Sequence, residues 1–65
     1  MTNYEHYLQE YMSVEKLARQ LIKWELTESN NIVYYGPDDK SYADMDICLR
    51  HIEEWLKQPY FESYN

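Results

Sequence analysis

Apolar positions recur at helical spacing in three stretches of this 65-residue chain. Tyr4, Tyr7, Leu8 and Tyr11 fall at i, i+3, i+4 and i+7, which puts them on one face of a helix over about 3–11, with Glu5, Gln9 and Glu10 elsewhere. Thr2 and Glu5 stand at the spacing of a capping box. A helix this short is not stable alone in water, so its aromatic face must pack against something. Ser13 caps a second helix, in which Val14, Leu17, Ala18, Leu21, Ile22 and Trp24 or Glu25 carry the period over 13–26. The third stripe is Met45, Leu49, Ile52 and Leu56, with Cys48 and Trp55 beside it, on a helix over 42–57. Ser41 and Asp44 repeat the cap spacing before it, and Pro59 ends it at Lys57. Glu15 with Arg19, Asp46 with Arg50 and Glu53 with Lys57 are i,i+4 acid-to-base pairs for the outer faces.

Between the second and third helices the pattern changes. Ile32, Val33, Tyr34 and Tyr35 form a run with strand character, followed by the turn residues Gly36, Pro37, Asp38 and Asp39. The run either pairs with Lys40 to Ala43 as a small hairpin or crosses as an extended connection that sends Ile32 and Val33 into the helical core. A lone two-stranded ribbon is marginal, which favours the extended connection. The expected fold is therefore mainly α: one domain over 1–65, built from three helices with a tyrosine-rich connection or short hairpin at 32–43, and ending in an aromatic tail at 58–65. A hairpin makes it α+β.

Size and charge narrow the function classes. A chain of this length buries only about 60% of its unfolded surface, which leaves little for an enclosed substrate pocket with a supporting shell. The sequence has no apolar stretch long enough to cross a bilayer and no signal region, so the expectation is a cytoplasmic, soluble protein. Twelve acidic against six basic side chains give a net charge of −6, which disfavours direct binding to nucleic acid and speeds encounter with basic surfaces. Eight tyrosines, two tryptophans and one phenylalanine are more aromatic side chains than so small a domain buries, so some must lie on a recognition surface or a homodimer seam. Tyr4, Tyr7, Tyr11 and the Tyr60 to Tyr64 tail are the candidates for such a seam.

Chemistry of a catalytic or metal-binding kind finds little to work with. The two histidines, His6 and His51, lack an H-E-x-x-H arrangement and read as solvent-facing side chains with acids nearby. Cys48 sits beside the apolar stripe as a small buried hydrophobe, not as a nucleophile for His51. The single glycine excludes a phosphate-cradling loop. No enzyme activity, metal or cofactor is expected. What stands out is collective. Glu25 and Glu28 lie where the second helix ends, at some cost against the macrodipole, and an antiparallel helix pair brings them towards Asp38, Asp39 and Asp44. Tyr34, Tyr35 and Tyr42 belong to the same region. Such a cluster engages arginines by charge, hydrogen bond and cation–π contact, and these eight residues are the expected binding surface.

The opening Met1-Thr2-Asn3-Tyr4-Glu5-His6-Tyr7-Leu8, with the later Cys48-Leu49-Arg50-His51-Ile52-Glu53-Glu54-Trp55-Leu56, resembles a loose group of small phage and prophage proteins of Gram-positive bacteria. Members of that group carry several cysteines between the helices where this chain has Ile32-Val33-Tyr34-Tyr35, so no cysteine-based property transfers. The resemblance implies a mobile-element origin and supplies no catalytic residue. Together with the charge it points to a non-enzymatic inhibitor of a basic, nucleic-acid-handling host protein, in the manner of an anti-CRISPR protein or other DNA mimic. The alternative is a homodimeric phage accessory or assembly protein.

Overall fold

The computed structural model describes residues 1–61; Glu62 to Asn65, including Tyr64 of the expected aromatic tail, lie outside the described residues. The chain runs α1 (Asn3–Tyr7), α2 (Val14–Leu21), β1 (Lys23–Leu26), β2 (Ile32–Tyr35), β3 (Ser41–Tyr42) and α3 (Met45–Leu56). The strands form one antiparallel sheet in the order β1-β2-β3. The fold is α+β, which corrects the mainly α expectation. All three helices exist, and each is shorter than its apolar period implied.

The caps set those lengths. Thr2 and Glu5 form the expected capping box, but α1 stops at Leu8, whose backbone turns extended. Tyr4 Oη donates to the carbonyl of Met12 at 2.5 Å, which ties the following segment back across the helix instead of continuing it to residue 11. The Thr2 backbone and side chain hold the Glu5 carboxyl below its ordinary pKa. Ser13 caps α2 as expected, accepting from Lys16 N. Ile22 then adopts ψ 136°, ending the helix before the 23–26 segment that the sequence pattern assigned to it. Asp44, not Ser41, caps α3 by accepting from Ile47 N at 3.1 Å; residues 41 and 42 are already committed to β3.

Two tight turns close the sheet. Between β1 and β2, Thr27 N donates to the Asn31 carbonyl at 2.8 Å and Thr27 Oγ1 accepts from Asn31 N, while Asn30 takes the left-handed φ of 65° that asparagine tolerates. Between β2 and β3, Asp39 N donates to Gly36 O and Asp39 itself has φ 64°. The hairpin at 32–43 therefore forms, and the extended connection does not: β2 gains a partner on each side, which removes the marginality of a lone ribbon. Ile32 is correspondingly 45% exposed and does not plug the core.

The core is Met12, Leu17, Ala18, Cys48, Ile52 and Leu56, where α2 crosses α3. Tyr4, Tyr7, Tyr34 and Tyr42 pack around it. Met45, expected in the apolar stripe, lies at the first turn of α3 outside the buried cluster and is 47% exposed. The two ends of the described chain meet: Thr2 bridges Pro59, Asn3 Nδ2 donates to the Trp55 carbonyl at 2.7 Å, and His6 stacks on Tyr60 at 3.7 Å between ring centres. Among the described residues no helix is long and apolar enough to cross a membrane.

Candidate functional site

Strand register decides which of the expected binding residues meet. Trp24 stands opposite Tyr34, Leu26 opposite Ile32, and Tyr34 opposite Tyr42. Directly opposed side chains share a face, so these five lie on the side of the sheet that α3 covers at β2 and β3. The other face carries Lys23, Glu25, Val33, Tyr35 and Ser41. There, Glu25, Val33, Tyr35, Asp39 and Ser41 line one shallow recess. A neighbouring recess shares Tyr35 and Asp39 and is bounded by Lys23, Gly36 and Pro37.

Of the eight residues expected to cluster, three do: Glu25, Tyr35 and Asp39. Glu25 reaches the recess from a strand, not from the end of a helix, so the macrodipole cost assigned to it and to Glu28 does not arise. Glu28 lies in the β1–β2 turn at the far end of the hairpin. Tyr34 and Tyr42 face the opposite side, half-buried against the core. Asp44 is occupied as the cap of α3.

Asp38 is also diverted from the surface. Its Oδ2 lies 2.5 Å from His51 Nε2, with the two side chains only 17% and 22% exposed, and the His51 ring lies 5.2 Å from that of Tyr42. His51 is thus half-buried in an ion-pair geometry with a partner thirteen residues away, not a solvent-facing histidine. The pair pins the β2–β3 turn to α3. Burial first, and the Asp38 charge second, push the Cys48 thiol above its ordinary pKa, and a thiol so held is a weak nucleophile. Cys48 is fully enclosed, as a small core hydrophobe should be.

Other expected pairings also differ. Lys57 binds Glu54 at 3.0 Å, one turn away, and not Glu53. Neither Glu15 with Arg19 nor Asp46 with Arg50 forms an ion pair in the structure. The aromatic face expected at a dimer seam is used within the chain: Tyr4 and Tyr7 pack on its own core, while Tyr11 is 93% exposed. Among the described residues no three histidine, cysteine or carboxylate side chains converge as metal ligands. No family model matches the chain, and comparison with curated proteins and with solved structures gives no match.

Proposed function

We propose that this chain is a non-enzymatic acidic binding protein of phage origin that acts in the cytoplasm, inhibiting a basic nucleic-acid-handling protein by occupying its positively charged groove. A CRISPR effector is the instance to which the phage-like sequence resemblance points. The observation that carries the reading is the recess lined by Glu25, Tyr35 and Asp39, with no cation among the described residues of its lining and Lys23 in the neighbouring recess. An arginine entering it meets two carboxylates and a phenol, a set suited to charge-assisted hydrogen bonds and cation–π contact. The net charge of −6 adds long-range steering towards a basic groove and opposes binding to nucleic acid itself.

The test uses Tyr35 and Asp39, because Asp38 is committed to His51 and its reversal disturbs the fold. Asp39→Asn removes the charge while keeping a residue that tolerates φ 64°. Combined with Tyr35→Ala, it is expected to weaken binding to the basic partner by at least about tenfold in titration calorimetry, the scale of one lost charge-assisted hydrogen bond. Unchanged affinity in a variant with unaltered circular dichroism removes this recess from the interface.

A further inference from the structure

β1 is the unfinished part of this fold. All four of its residues are exposed, Trp24 at 65% and Leu26 at 57%, and with Ile32 they form an apolar strip that α3 leaves uncovered. Among the described residues its outer edge has no partner strand, and an edge strand with exposed apolar side chains is a template for another strand. The hydrogen-bond phase fixes what that edge offers. Thr27 N bonds the carbonyl of its directly opposed residue Asn31 at 2.8 Å, so by alternation Lys23 and Glu25 turn their backbone groups inward to β2, whereas Trp24 and Leu26 turn theirs out.

We infer that the strand that completes this edge is β1 of a second copy, paired antiparallel about a two-fold axis at Trp24. This goes beyond the partner reading above and does not depend on it; the two share Glu25, which in the pair faces Lys23 of the second copy. A two-fold perpendicular to the sheet sets one residue of β1 opposite its own copy, and the outward backbone groups are compatible with each of Lys23, Trp24, Glu25 and Leu26 as that residue. Centring on Lys23 or on Glu25 sets two like charges opposite each other. Centring on Trp24 exchanges two N–H···O=C bonds between the Trp24 residues and places Lys23 opposite Glu25 of the second copy, twice. These are non-hydrogen-bonded positions, where opposed side chains stand closest. The two indoles then meet on the apolar face, over the strip that each chain leaves open. Only that register makes opposite-charge pairs: centring on Leu26 sets Glu25 opposite Thr27 and Trp24 opposite Glu28. Repulsion between two chains of net charge −6 is screened at physiological ionic strength, where the Debye length is about 8 Å, while the close cross-strand pairs persist.

Sedimentation equilibrium on the full chain, from about 10 µM to about 1 mM to suit a small interface, is expected to show a monomer–dimer equilibrium. Glu25→Lys discriminates most sharply: it moves the net charge towards zero, which favours self-association in general, yet sets Lys23 against a lysine. It and Lys23→Glu are each expected to weaken the dimer by about tenfold, and the double swap to restore it to within about threefold. Both positions are exposed, so circular dichroism should not change. A chain monomeric throughout, a dimer indifferent to both single reversals, or a double swap that fails to restore it overturns the proposal.

Discussion

Ile52→Ala is expected to cost about 2–5 kcal/mol, the range for removing a large aliphatic side chain from a site that cannot collapse. Ile52 is fully buried in α3, in the cluster formed with Leu17 and Ala18 of α2, and it also lies under Gly36 at the end of β2. It is therefore the side chain that joins the helical layer to the sheet. A domain of this length has a total stability of about 3–10 kcal/mol, so the loss is a large share of it. Urea unfolding followed by circular dichroism should show the midpoint fall sharply, with a loss well under 1 kcal/mol contradicting this placement of the core.

Gly36→Ala is expected to destabilise by about 1–3 kcal/mol, through overpacking and not through backbone strain. Gly36 has no positive φ, but a Cβ there stands 2.7 Å from Ile52 Cγ1 and 3.0 Å from Cδ1. Neither atom has room to retreat, because Ile52 is enclosed on every side. The two substitutions should be strongly non-additive. With alanine at position 52 the new methyl group enters the vacated space, so Gly36→Ala becomes close to neutral in that background. Equal costs in both backgrounds contradict the contact.

The caps were the most legible part of the chain. Thr2 with Glu5 and Ser13 act as their spacing indicates, and Cys48, Ile52 and Leu56 occupy the core that the α3 stripe marks out. The strand character of 32–35 was equally plain, because the run is β-branched and aromatic. The 23–26 segment was not. Its alternation of charged and apolar residues has a strand period, but Trp24 also continues the helical period of Leu17 and Leu21, and four residues do not separate the two. The choice is made by pairing with 32–35, a contact between segments that local propensity does not contain.

That one reassignment redraws the candidate site. With Glu25 on a strand, the sheet's alternation sends it to the same face as Tyr35 and sends Tyr34 away, whereas a helix end gives no such sorting. The Asp38–His51 pair was hidden for a similar reason: nothing in the spacing of the two residues brings a turn onto the second turn of a helix. Charge composition indicated an acidic binding surface, but it takes the strand register to select Glu25 and Tyr35, and the β2–β3 turn to add Asp39, from the eight acidic and tyrosine positions.

The most direct measurement is capture of partners on the tagged full chain from bacterial host lysate, at low salt and again at about 0.5 M, where screening shortens the Debye length to a few Å. The proposed function requires a basic nucleic-acid-binding protein that is retained at low salt, released by the salt wash and displaced by added DNA. It contradicts the proposal if the captured proteins resist both salt and DNA, or if the chain captures nothing but itself.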